Sequence, residues 1–225
     1  MPRNKSNIFE AHEKSSVAST TDIIQRHIDI DWKINFQKSE ISGSVSIIFD
    51  VKNEVTFIDL DTRNINIISV ENVSFPDNQP EFEISDANLI EETYKSSKLH
   101  IKFPKKPLEK ASRLVLKISY TTSPEASGLQ WLKKEATKDK VEPYLFSQFQ
   151  AIHARSVVPC QDIPDAKVTY NATVQTENAK QICLMSALKD EKSGKDSDAE
   201  NNIFRFSQPV CMPTYRAVLD GCGKN

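Results

Sequence analysis

Alternating hydrophobic and polar residues dominate the chain and predict strands. The clearest run covers residues 28–34, where isoleucine or tryptophan at every second position alternates with a charged residue. A two-residue period of this kind is typical of an antiparallel strand with one buried face. A second alternating run covers residues 41–51, and the polar residues 35–40 between the two runs suit a hairpin connection.

Further strands are predicted at intervals along the rest of the chain. They cover residues 55–60, 65–73, 98–103, 114–120, 167–175, 181–187 and 202–206. Several prolines fall in the gaps, where the missing backbone donor costs least. No segment carries an apolar stripe of helical period over three turns. The pattern therefore predicts an all-β fold built from stacked sheets or a sandwich.

Composition and charge limit the classes of partner. The net charge is -2 and 27% of the residues are charged, so the chain has no basic excess for nucleic acid or an anionic membrane. No apolar run approaches the about 20 residues that a membrane-spanning helix needs. Residues 1–21 are polar without the apolar core of a secretory signal, which predicts a disordered leader and a cytoplasmic protein.

The residues form no self-contained catalytic site. His12 and Glu13 would begin an H-E-x-x-H zinc motif, but Ser16 stands where the second histidine is needed. The other three histidines are isolated from one another, and acidic pairs such as Asp59 and Asp61 are interpreted as solvated charge on outward strand faces. We therefore predict neither catalytic nor metal-binding residues in this chain.

A segment from Tyr144 to Pro164 is the strongest candidate for a functional site. It begins as an apolar strand, in which alternation places Gln148 and Gln150 on one face and Ala151 on the other. An uncharged amide both donates and accepts, so it can bind a peptide backbone or a free amine. Taken alone, these residues fit either satisfied core amides or a recognition edge.

The same segment ends in a corner that contains two prolines. Arg155 and Asp162 bracket Pro159 and precede Pro164. A guanidinium–carboxylate pair at this spacing is predicted to hold the path of the chain. Cys160 is predicted to pack there as a small apolar group.

Several motifs in this order resemble the zinc aminopeptidases of the leukotriene A4 hydrolase type. They are S-G-L-Q-W-L at 127–132, Y-L-F-S-Q at 144–148, Q-A-I-H at 150–153, P-C-Q-D at 159–162 and L-M-S-A at 184–187. Residues 154–164 also resemble the wider aminopeptidase pattern A-R-x-x-x-P-C-x-D-x-P. The resemblance extends from about Thr21 to about Tyr215.

The resemblance implies a saddle-shaped, all-β N-terminal domain of mixed and antiparallel sheets, formed by residues 22–215. In that family such a domain packs against a catalytic domain that binds zinc. Gln150 and Ala151 would line the substrate cleft and contact the N-terminal residue of a peptide, with Gln148 as the next candidate. Zinc is expected in the full-length enzyme and not in this chain.

Two departures from the family shape the functional prediction. The H-E-x-x-H helix and the other catalytic parts have no counterpart here, so the chain alone is expected to be inactive. Residues 216–225 carry Arg216 and Asp220 where the family has an apolar strand, which predicts a divergent or truncated tail. The alternative function is a stand-alone, non-catalytic β-domain that binds peptides or a protein partner.

Overall fold

The computed structural model describes residues 15–87, 96–138, 140–177, 181–191, 194–195, 202–217 and 219–223. These residues form strands and short 3-10 turns. The first eight strands are β1 (Ile23–Asn35), β2 (Glu40–Val51), β3 (Phe57–Thr62), β4 (Ile65–Asn72), β5 (Glu81–Ala87), β6 (Ser96–Lys102), β7 (Arg113–Thr122) and β8 (Leu129–Leu132). The others are β9 (Tyr144–Ser147), β10 (Lys167–Thr176), β11 (Ile182–Met185), β12 (Leu188–Lys189), β13 (Gly194–Lys195), β14 (Asn202–Pro213) and β15 (Leu219–Gly223).

The largest sheet has the strand order β12-β14-β10-β1-β2-β7-β4, and β13 also pairs with β14. β1 and β10 run parallel, whereas the other neighbours in this sheet are antiparallel. The sheet is therefore mixed. Its central hairpin is the predicted one, because β1 pairs with β2 from Ile23↔Val51 to Asn35↔Glu40.

Two smaller antiparallel sheets pack with the large one around a single core. One has the order β11-β15-β9-β8 and the other the order β3-β6-β5. Fully buried residues from all three sheets meet in one hydrophobic cluster, including Trp32, Leu99 and Leu145. Trp32 Nε1 also donates to the Tyr120 hydroxyl at 2.8 Å, so its polar atom has a partner within the core. The predicted all-β architecture of stacked mixed and antiparallel sheets is confirmed.

The alternation of apolar and polar residues did not predict the short strands or the exposed edge strand. β8 has only four residues, and β12 and β13 have two each. β5 alternates in sequence, but six of its seven residues are exposed, since it forms the outer edge of its sheet. In the other direction, β14 continues to Pro213, well beyond the predicted end at residue 206.

The last residues of the predicted disordered leader, 15–21, lie in the described part of the structure. Residues 1–14 lie outside the described part of the structure, but Ser16 is buried and its hydroxyl donates to the Asp61 carboxylate. Val17 donates its backbone N–H to the same carboxylate at 2.9 Å. The packed domain therefore includes residues 15–21.

Part of the predicted divergent or truncated tail, residues 216–225, lies in the described part of the structure. Leu219–Gly223 forms β15, which pairs with β11 and β9 in the four-stranded sheet. Arg216 is exposed at the end of a 3-10 turn, before the strand begins, so it does not interrupt the sheet. Leu219 is fully buried, and its backbone N–H and carbonyl both bond to the hydroxyl of Ser147.

In the described part of the chain, no helix has the length and apolar character needed to cross a membrane.

Candidate functional site

The candidate segment begins in strand β9 and continues into an exposed loop. Leu145 and Ser147 are buried and face the core, as a two-residue period requires. The strand ends at Ser147, and Phe149 then enters the core with 1% of its surface exposed. Buried side chains on both sides of Gln148 thus hold this part of the chain against the domain.

Gln148, Gln150 and Ala151 are all exposed. The chain leaves the strand after Ser147 and turns at residues 150–153, so the strand alternation used in the prediction does not extend to Gln150 and Ala151. The peptide bond between Gln150 and Ala151 is cis. We call these three exposed, uncharged residues the amide edge.

The glutamines of the amide edge differ in their hydrogen bonds. The Gln148 side-chain oxygen accepts the backbone N–H of Gln150 at 3.3 Å, so part of its capacity is used within the loop. The Gln150 side chain bonds to no residue that the structure describes. Gln150 is therefore the amide that is available to an external ligand, which excludes the core-amide interpretation for this residue.

A buried ion pair fixes the chain that follows the amide edge. Arg155 Nε donates to Asp162 Oδ2 at 3.0 Å, and Nη2 donates to the Asp162 carbonyl at 3.1 Å. The Nη1 group donates to the Ser15 carbonyl at 2.7 Å and to Ser96 Oγ at 3.2 Å. The predicted Arg155–Asp162 pair is confirmed, and both side chains are almost completely buried.

Asp61 adds a second carboxylate to this corner, and its predicted position on an outward face is wrong. Its side chain is fully buried, and Oδ1 lies 3.5 Å from Arg155 Nη1. Burial raises the pKa of Asp61, whereas the nearby Arg155 charge and the hydrogen bonds from Ser16 and Val17 lower that pKa. Asp162 donates its backbone N–H to Asp61 Oδ2 at 3.0 Å. One guanidinium thus faces two carboxylates, and backbone and hydroxyl donors stabilise the excess negative charge.

A pair of buried glutamines joins the corner to the large sheet. The backbone N–H of Gln25 donates to Gln161 Oε1 at 2.8 Å, and the backbone N–H of Gln161 donates to Gln25 Oε1 at 2.9 Å. Cys160 is also completely buried, as predicted, and burial raises the pKa of its thiol. These contacts make residues 155–162 a well-anchored support for the amide edge.

The four-stranded sheet that contains β9 has an apolar outer face. Ile182 and Leu184 on β11 are 37% and 48% exposed, while the alternate residue Cys183 is buried. Tyr144 and Phe146 on β9 lie on the same outer face, with ring centroids 6.1 Å apart. This apolar face runs along β9 directly into the amide edge.

The described residues do not fit a zinc ion. No group of three or more His, Cys, Asp or Glu side chains among them could hold a metal. Pairs do occur, such as His100 with Asp59 and His27 with Asp29. A catalytic zinc uses three protein ligands, so such pairs are insufficient.

The chain belongs to the peptidase M1 N-terminal domain family, whose model matches residues 24–216. This is a family of zinc metallopeptidases, in agreement with the resemblance seen in the sequence. The fold of this chain is similar to that of native yeast LTA4 hydrolase, with a TM-score of 0.78 and 29% identity. The match covers 94% of this chain and 30% of that one. An M1 zinc metallopeptidase from Deinococcus radiodurans, at 18% identity and a TM-score of 0.67, shows likeness of fold alone.

Two curated relatives are each 33% identical to this chain. Leukotriene A-4 hydrolase from Xenopus laevis is 33% identical over 208 residues, which cover 92% of this chain and 33% of that protein. Leucine aminopeptidase 2-1 from Meyerozyma guilliermondii is 33% identical over 209 residues, which cover 92% of this chain and 30% of that protein. The chain thus spans about a third of the length of these relatives and corresponds to their N-terminal domain.

Proposed function

We propose that this chain lines the substrate cleft of a zinc aminopeptidase of the leukotriene A4 hydrolase type. In this proposal Gln150 and Ala151, together with Gln148, help to bind the N-terminal residue of a peptide. The observation that carries it is the amide edge, which is exposed, uncharged and anchored to a buried ion cluster. Membership of the M1 family supports the substrate class.

The chemistry of the amide edge suits a peptide N-terminus. The Gln150 side-chain oxygen can accept a hydrogen bond from an ammonium group, and its NH₂ group can donate to a peptide carbonyl. Because the buried corner already orders the neighbouring backbone, binding would cost less conformational entropy than it would on a mobile loop. Hydrolysis would require the zinc ligands, which the described residues do not provide.

Replacing Gln150 by alanine should abolish recognition of a free peptide amine. We expect the wild-type chain to bind Leu-Ala at about 1 mM, or about −4 kcal/mol, because a single open edge offers few contacts. The side-chain NH₂ signals of Gln150 in a ¹⁵N NMR spectrum should shift with Leu-Ala and stay in place with N-acetyl-Leu-Ala. In Gln150→Ala, the neighbouring backbone signals should no longer respond to Leu-Ala.

Gln37→Ala is the matched control, since Gln37 is an exposed glutamine in the β1–β2 connection. This variant should respond to Leu-Ala as the wild type does. Equal responses of the wild type to the free and the acetylated peptide would contradict the proposal.

The apolar face supports a second part of the proposal, contact with the catalytic domain. A stand-alone β-domain, the alternative function, predicts a surface without a large apolar patch. Instead, Ile182 and Leu184 are exposed, and the half-buried Tyr144 and Phe146 lie on the same face beside the amide edge. A domain seated on this face would form the opposite wall of a cleft that contains Gln150.

Polar substitution of the apolar face should lower the binding of a hydrophobic dye. The double variant Ile182→Asn/Leu184→Asn removes two exposed side chains and leaves the buried Cys183 and Met185 unchanged. We expect it to lose the larger part of the wild-type dye fluorescence, while its unfolding midpoint changes little. The measurements are dye fluorescence and urea unfolding.

Val210→Asn is the control for this experiment, because Val210 is 65% exposed on β14 of the large sheet. It should keep most of the dye signal. Retention of the full signal by the double variant would contradict a docking role for the apolar face.

A further inference from the structure

The loop that precedes β8 is in direct contact with the amide edge. The Gln148 backbone N–H donates to the Gly128 carbonyl at 2.9 Å. The Gly128 N–H in turn donates to Ser156 Oγ at 2.9 Å, and that hydroxyl donates to the His153 carbonyl at 2.8 Å. Residues on both sides of Gln150 are therefore bonded to one glycine or to its direct partner.

Glycine is the only residue type that fits at position 128. A Cβ atom on residue 128 would lie 2.8 Å from the His153 carbonyl oxygen and 2.9 Å from a carbon of the Phe149 ring. Both distances are shorter than those that real Cβ atoms show. The His153 carbonyl and the Phe149 ring thus approach residue 128 so closely that any side chain there would displace them.

Ser127 adds a side-chain contact to the same loop. Its Oγ lies 2.8 Å from His153 Nδ1, and one hydrogen bond joins them in either neutral tautomer. Burial is the main cause that lowers the pKa of His153, and the positive charge of Arg63 acts in the same direction. The His153 backbone N–H also donates to the Phe149 carbonyl at 2.8 Å, which closes the turn over Gln150 and Ala151.

We propose that Ser127 and Gly128, with His153 and Ser156, position the amide edge for recognition of a peptide N-terminus. This inference rests on the proposed function, because it assigns to these four residues the placement of Gln150. They act through the loop backbone and are positioning residues, since none of them belongs to the exposed edge itself. Their contribution is to specificity for the free amine more than to the stability of the fold.

The decisive variant is Ser127→Ala, which removes one hydrogen bond from a half-buried side chain. The backbone ¹⁵N NMR signals of residues 148–151 should shift in the free protein. Affinity for Leu-Ala should fall about 3- to 10-fold, the usual range for loss of one hydrogen bond. Ser127→Thr keeps the hydroxyl and should restore both the signals and the affinity, whereas Ser44→Ala on β2 should change neither.

Gly128→Ala tests the same inference, because the added Cβ atom should displace the neighbouring loop at residues 149–153. It should move the signals of residues 148–151 further than Ser127→Ala does and remove the discrimination between Leu-Ala and N-acetyl-Leu-Ala. If both variants leave these signals and the discrimination in place while thermal stability falls, their role is structural only and the inference is overturned.

Failure of the proposed function would be recognised separately. In that case Gln150 of the wild type would respond to neither peptide, although Ser127→Ala would still shift the signals of residues 148–151. The positioning of the edge would then stand, and peptide recognition would be rejected.

Discussion

Arg155→Met should destabilise the domain more than any exposed charge substitution. Arg155 is fully buried and faces the carboxylates of Asp61 and Asp162. Methionine keeps much of the volume but leaves both carboxylates without their cation. Breaking a buried ion pair in this way typically costs about 3–5 kcal/mol, a large fraction of the about 5–15 kcal/mol that stabilises a domain. Urea unfolding followed by tryptophan fluorescence measures the loss.

The matched control is Arg26→Met. Arg26 makes an ion pair with Asp50 at 2.9 Å, but the two side chains are 49% and 39% exposed. Water screens such a pair, so the free energy of unfolding should change by less than about 1 kcal/mol. Similar losses for the two variants would show that the buried corner does not carry the stability assigned to it.

In the buried corner, only the contact between residues that are close in sequence could be predicted. Arg155 and Asp162 are close in sequence and flank Pro159, so their pairing could be predicted from local spacing. Asp61 and Ser16 could not, because the register of β3 and the bridge between Asp61 and Cys160 bring them there. Neither feature leaves a local pattern in the chain.

The residues of the amide edge could be selected from the sequence, but their arrangement in the structure could not. Gln148 and Gln150 could be selected because uncharged amides between large apolar residues are unusual on a strand. The end of the strand was missed, since Phe149 continues the apolar alternation beyond the end of β9 at Ser147. The strand ends there without a proline, and the nearest glycine, Gly128, acts from another loop.

The apolar face shows a further limit of alternation. In β11, Ile182 and Leu184 are as apolar as Cys183 and Met185, a pattern that normally indicates a strand buried on both faces. The structure buries only Cys183 and Met185. Apolar residues on both faces are thus consistent with a neighbour that would cover the outer one, and the periodicity of a single strand cannot identify that neighbour.

Gly43→Ala should have the second large effect, through the close approach of β1 and β2. Gly43 lies opposite Trp32 in the central hairpin, with φ at 155°. A Cβ atom there would lie 1.9 Å from the carbonyl oxygen of Asp31, which is backbone and cannot rotate away. Overpacking and backbone strain each cost about 1–3 kcal/mol, so we expect a loss of about 2–6 kcal/mol in urea unfolding.

Ser44→Ala is the control for Gly43→Ala, because it changes the next residue of the same strand on a half-exposed position. Its free energy of unfolding should stay within about 0.5 kcal/mol of the wild type. A wild-type midpoint for Gly43→Ala would mean that the two strands can separate locally at no cost. That result would be incompatible with the observed register, in which Gly43 pairs with Trp32 and an added Cβ atom would lie 1.9 Å from the Asp31 carbonyl oxygen.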